Sequence, residues 1–117
     1  MKYVFASYVS SPDYHDPEAW INHVGFYFGI LEALAETDEV ATIEQIDYEG
    51  ELVKNNVQYY FKKYNNRQRR IPFKMHRFIK SQRPDVVVIQ SLHFPIQILL
   101  IIDILFIIML FKLCINF

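Results

Sequence analysis

The sequence predicts an α/β domain built on a parallel sheet with flanking helices. Three observations carry that expectation. The chain opens on a short segment rich in Tyr, Val and Phe, an apolar stripe at helical spacing follows, and the run Val86-Val87-Val88-Ile89 comes directly after an amphipathic segment. At 117 residues with 52% hydrophobic side chains, the chain is long enough for one domain with a real core and too apolar to stay disordered.

Lys2 to Val9 reads as a first, central strand, closed by the turn formers Ser10-Ser11-Pro12-Asp13. A helix is expected from Asp16 to about Thr37. Asp16 caps it, Pro17 suits its first position, and Glu18 complements its dipole. Trp20, Val24, Tyr27, Leu31 and Leu34 recur at three- and four-residue spacing, which lays one apolar stripe against the sheet. Gly25 and Gly29 each cost roughly 1 kcal/mol relative to Ala inside a helix, so a close approach of helix to strand is the expected reason for them.

Val40 to Ile46 reads as a second strand and Asp47-Tyr48-Glu49-Gly50 as a turn or loop. Val57 to Tyr64 is expected to be a third strand, broken by Asn65-Asn66. From Pro72 to Gln82, Phe73, Met75, Phe78 and Ile79 fall on one side and Lys74, Arg77 and Lys80 on the other, the pattern of an amphipathic helix. Pro84-Asp85 ends it, and Val86 to Ile89 follows as a parallel strand buried on both faces. Asp85 then lies at the amino end of that strand, in a structural role.

Charge is sorted along the chain although it nearly cancels overall. Between Glu32 and Glu51 stand eight acidic residues and no base, and between Lys62 and Arg83 nine bases and no acid. The plain reading is two solvated faces that partly attract each other; the functional one is a surface for phosphate groups or an anionic membrane. No nucleic-acid motif accompanies the bases, so nucleic acid is not an expected partner.

Open α/β sheets bind ligands beyond the carboxyl ends of their strands. That rule points to the loop after Val9, with Ser10, Ser11, Asp13, Tyr14, His15 and Asp16, and to the loop after Gln90, with Ser91 and His93. Such groups hydrogen-bond a sugar or a phosphate, but Ser10, Ser11 and Asp16 are equally what turns and caps require. His15, His23, His76 and His93 lack metal-ligand spacing, so no metal is expected. No dinucleotide, nucleoside-triphosphate or hydrolase signature occurs, and no cofactor is expected. The single Cys114 excludes an internal disulfide, and the N-terminal apolar run is too short for a signal peptide, which together favour the cytoplasm.

The strand followed by Ser-Ser-Pro-Asp-Tyr-His-Asp-Pro-Glu-Ala-Trp, the helix ending Phe-Gly-Ile-Leu-Glu-Ala-Leu-Ala, and Arg-Pro-Asp-Val-Val-Val-Ile-Gln-Ser-Leu-His together resemble the N-terminal domain of group 1 (family 4) glycosyltransferases. The resemblance covers about Met1 to Gln97. It implies the first half of a GT-B fold: a partial Rossmann-like domain that binds a saccharide or lipid-linked acceptor, facing a second domain that binds the nucleotide-sugar. Carried over to this chain, it places Ser10, Ser11, His15 and His93 on the acceptor side. The chain has Ser-Ser-Pro where the family often has a glycine-containing loop. It also implies no catalytic residue within the 117 positions, because the donor pocket would belong to the second domain, so a truncated and inactive transferase is expected.

The segment 98–117 changes composition abruptly, with no Gly, Ala, Val, Ser or Thr. Thirteen of the fourteen positions from Ile98 to Phe111 are apolar. At about −0.3 to −0.6 kcal/mol each they offset the cost of about 2.5 to 3.5 for Asp103, so membrane insertion as an apolar C-terminal helix is energetically allowed. That reading places the chain at the inner face of a membrane and leaves, as an alternative function, a small anchored α/β binding module without catalysis. A frameshifted or otherwise aberrant end, replacing the missing catalytic half after a domain spanning 1–97, explains the shift more fully. A core helix with Asp103 partnered is the third reading.

Overall fold

The computed structural model describes residues 1–90; Ser91 and His93, expected in a ligand loop, and the segment 98–117, expected as an apolar helix or an aberrant end, lie outside the described residues. Among the described residues nine elements follow one another: β1 (Lys2–Ser7), α1 (Pro17–His23), α2 (Gly25–Leu34), β2 (Glu39–Glu44), β3 (Gly50–Lys54), β4 (Val57–Phe61), α3 (Asn66–Arg70), α4 (Phe73–Ser81) and β5 (Val86–Gln90). The strands form one five-stranded sheet in the order β3-β4-β2-β1-β5. β1 pairs in parallel with β2 (Val4 beside Ala41) and with β5 (Val4 beside Val87), and β2 pairs in parallel with β4 (Thr42 beside Tyr59). The fold is therefore α/β with a mixed sheet and flanking helices, an architecture compatible with a Rossmann-like domain.

Strand pleating sends alternate residues to opposite faces and makes two cores. Phe5, Val40, Val57, Tyr59 and Phe61 pack under α1 and α2 with Ile21, Phe28 and Leu31. Val4, Ala6, Ala41 and Ile43 pack under α4 with Met75 and Ile79. The amphipathic helix expected from Pro72 to Gln82 is thus α4; Met75 and Ile79 are buried against the sheet and Phe78 packs beside them, whereas Phe73, expected on the same side, is exposed. β5 contributes Val87 to one core and Val88 to the other, but these residues are half-buried, not buried on both faces as the apolar run suggested. The reason is position: among the described strands β5 has a neighbour on one side only.

The single helix expected from Asp16 to Thr37 is two helices. Asp16 caps α1, its Oδ1 accepting from the Glu18 N–H, with Pro17 at the start. The chain leaves helical geometry at Val24 (φ −103°, ψ 27°), a β-branched residue followed by Gly25, and both are poor helix formers. Gly25 and Gly29 do not mark a close approach, since a Cβ on either would meet nothing within 4 Å. The buried residues of this segment are Ile21, Phe28, Leu31 and Ala35, with Trp20, Val24, Tyr27 and Leu34 packed around them.

The wholly parallel sheet is also corrected. β3, read as part of a connecting segment, runs antiparallel to β4 as the outer strand, with Glu51 beside Tyr60 and Lys54 beside Val57. The hairpin turns on Asn55 (φ 50°) and Asn56 (φ 69°), and two consecutive positive φ values are what a two-residue primed turn demands and asparagine tolerates. Glu51 and Lys54 keep this edge charged, which discourages pairing with another chain. The strand expected to run to Tyr64 ends at Phe61, and Asn65 and Asn66, expected to break it, begin a helix. Asn65 accepts from the Gln68 N–H at 2.8 Å while Gln68 accepts from the Asn65 N–H at 2.9 Å, a reciprocal capping box. Replacing Asn65 with alanine is expected to cost about 1 kcal/mol in a urea melt, as loss of an N-cap does elsewhere.

Asp85 lies at the amino end of β5, where its carboxylate accepts from the Lys2 N–H at 2.7 Å and its own N–H donates to the Lys2 carbonyl at 2.8 Å. It fastens the amino ends of β1 and β5 together.

Candidate functional site

Polar side chains gather at the carboxyl edge of the sheet, where the chain leaving β1 and the chain leaving β2 continue side by side. The Ser11 N–H donates to the Gln45 carbonyl at 2.8 Å, Ser11 and Ile46 form a parallel bridge, and the Asp47 N–H donates to the Tyr14 carbonyl at 2.9 Å. Gln45 Nε2 adds a bond to the Ser7 carbonyl at 2.8 Å. The first loop is therefore an extension of the sheet, and alternation persists through it. Tyr8 and Ser10 line a crevice on one side, whereas Ser7 and Ser11 line a pocket on the other. Ser10 and Ser11, both expected on the acceptor side, line different cavities.

The crevice on the α4 side holds about 580 Å³ and is lined by Tyr8, Ser10, Asp47, Lys63, Arg69 and Arg70 among others. Asp47 sits between two partners: Lys63 Nζ at 2.7 Å from Oδ1 and His15 Nδ1 at 2.6 Å from Oδ2. The hydrogen bond from Lys63, then that from His15, hold the Asp47 carboxyl below its ordinary range, and Asp47 in return raises the Lys63 ammonium. His15 is therefore tied to the chain beyond β2. Arg69 is held by bonds to the Tyr64 carbonyl and the Asn66 side chain.

Beneath the crevice Tyr8 and His76 form a buried pair. The tyrosine hydroxyl lies 2.7 Å from His76 Nε2, with the rings edge to face at 5.7 Å. His76 is 1% exposed, burial pulls its pKa down to about 4, and its Nδ1 has no partner among the described residues. Burial also raises the Tyr8 phenol. The sequence marked His76 only as one of four scattered histidines; a histidine on the apolar side of an amphipathic helix was the available signal.

The pocket on the α1 and α2 side holds about 390 Å³ and is walled by Ser7, Ser11, Trp20, Val24, Tyr27 and Glu44. Glu44 ends β2, is 4% exposed, and had not been singled out from the acidic run. Its Oε1 accepts from Trp20 Nε1 at 3.0 Å and its Oε2 from Thr42 Oγ1 at 2.8 Å. Burial pushes the carboxyl above its ordinary value against the pull of both bonds. The Tyr27 hydroxyl is buried without a hydrogen-bond partner among the described residues, and its pKa is raised by burial and then by the charge of Glu44.

Among the described residues no three His, Cys, Asp or Glu side chains come together as a metal site, and no helix is long and apolar enough to cross a membrane. No protein-family model, curated protein or solved structure matches the chain.

Proposed function

We propose that the crevice over Tyr8 binds a phosphate-bearing saccharide, as the acceptor side of a nucleotide-sugar-dependent glycosyltransferase. The observation that supports this reading is the placement of Ser10, Lys63, Arg69 and Arg70 on one crevice at the carboxyl edge of an α/β sheet. Guanidinium and ammonium groups bind phosphate through charge-assisted hydrogen bonds, and a serine hydroxyl both gives and accepts bonds to sugar hydroxyls. Asp47 orients Lys63 and leaves its other N–H donors for the ligand. In this reading the chain supplies acceptor binding, a donor would come from a nucleotide-sugar held by a second domain, and no residue described here performs the transfer.

Calorimetry of the full chain with glucose 1-phosphate, glucose and inorganic phosphate tests it. Glucose 1-phosphate is expected to bind about tenfold more tightly than either fragment, and Lys63→Ala to weaken it about tenfold, the size of one charge-assisted bond. If inorganic phosphate binds as tightly as the sugar phosphate, the crevice is a general anion site and the acceptor reading fails. No binding of any of the three also defeats it.

A further inference from the structure

We infer that the pocket walled by Trp20, Tyr27 and Glu44 is a second ligand site, separate from the crevice, and that it takes a small hydroxylated primary amine whose ammonium pairs with Glu44. Four observations converge on it. Glu44 is a buried carboxylate whose hydrogen-bond partners, Trp20 and Thr42, are both neutral. No ion pair to it forms among the described residues. A buried carboxyl without a counter-ion resists ionisation, an ammonium beside it favours the charged form, and an apolar residue in its place would complete the core at less expense. Second, the Tyr27 hydroxyl is buried and unpartnered beside it. Third, Ser7 and Ser11 stand on the same wall, so hydroxyl-bearing ligands find both donors and acceptors. Fourth, Trp20 and Tyr27 wall the pocket alongside Val9 and Val24, and the faces of tryptophan and tyrosine attract cations.

The chemistry of these groups discriminates among ligands. An anion would meet the Glu44 carboxylate and be repelled. A neutral sugar would satisfy the hydroxyls and leave the charge unpaired. An ammonium offers three donors, one each for Glu44, the Tyr27 oxygen and a serine oxygen, and supplies the missing countercharge. The volume of about 390 Å³ is at the small end of ligand pockets, which suits a body the size of one sugar ring. The crevice and this pocket share Val9 in their walls, and each can fail its test while the other passes.

Trp20 is the single tryptophan of the chain and donates directly to Glu44, so its fluorescence reports on this pocket. The experiment titrates the full chain with glucosamine and with glucose at neutral pH while following Trp20 emission. Glucosamine is expected to give a saturable change, with glucose at least about tenfold weaker. Glu44→Gln keeps the shape and removes the charge; it is expected to erase the preference for the amine while melting at or above the temperature of the parent. Tyr27→Phe is a second variant that leaves the carboxylate in place and is expected to weaken glucosamine several-fold. Equal responses to glucose and glucosamine, unchanged binding in Glu44→Gln, or no response to glucosamine up to about 10 mM would each overturn the inference.

Discussion

Phe28→Ala is expected to remove about 3 to 5 kcal/mol of stability, the usual cost of truncating a fully buried phenylalanine. Phe28 is 1% exposed and its ring stands edge to face on Tyr59 at 5.2 Å, where it joins α2 to β4. Tyr27 touches the same ring at 5.4 Å, so the hole left by the truncation would also loosen the wall of the Glu44 pocket. Small domains hold about 5 to 15 kcal/mol in total, and a loss of this size consumes much of it. Phe26→Ala is the internal control: two residues away on the same helix and 90% exposed, it should change stability by no more than about 0.5 kcal/mol. Urea denaturation of the two variants against the parent decides the matter. Similar losses for both would mean that α2 is not seated on the sheet by Phe28.

The second large effect is acid sensitivity centred on His76. Its folded-state pKa, about 4, lies below the ordinary 6.5, so between those values the unfolded chain binds more protons than the folded one. The stability this neutral histidine preserves is fully present above about pH 6.5 and is lost as pH falls toward 4. At 1.36 kcal/mol per pKa unit the shift sets an upper limit of about 3 kcal/mol, and solvent screening brings the expected loss to about 1 to 2. Glu44 works in the opposite sense, since a carboxyl raised by burial favours the folded state as pH falls through its titration. Asp47, held low by Lys63 and His15, adds a loss at the acid end of the range. The contribution of His76 is therefore read as a difference in slope between the parent and His76→Gln, a variant that does not titrate and can still bond Tyr8. Denaturant melts from pH 7 to pH 4.5 should show a steeper decline in the parent. Parallel slopes would show that His76 is not held neutral by its surroundings.

Much of the scaffold was legible because it rests on local pattern. The Tyr- and Val-rich opening, the Asp16-Pro17-Glu18 start, the two-sided helix of Phe73–Ser81 and the apolar run Val86 to Ile89 each depend on neighbours within about one turn or one pleat, and each forms the type of element its pattern indicates, although the last is half-buried and not covered on both faces. Local reasoning failed where the signal was short or charged. Asn55-Asn56 is a recognisable hairpin turn, but Glu51 and Lys54 beside it carry no apolar alternation, because an edge strand exposes what an inner strand buries. The break at Val24 was hidden by an apolar stripe that continues through it.

For the sites, sequence by itself placed the loop after β1, with Ser10, Ser11 and His15, at the carboxyl edge. Tertiary structure alone decided which cavity each residue lines and which partners it meets. The bridge from Ser11 to Ile46 extends the strand alternation beyond β1 and sends Ser10 and Ser11 to different cavities. The pairing of β1, β2 and β4 puts Glu44 under Trp20 and Asp47 between His15 and Lys63, partners 24, 32 and 16 positions apart in the chain. An acidic residue in an acidic run looks solvated. Whether it is depends on which strand lies beside it and which helix crosses above, and those are long-range pairings that no local pattern encodes.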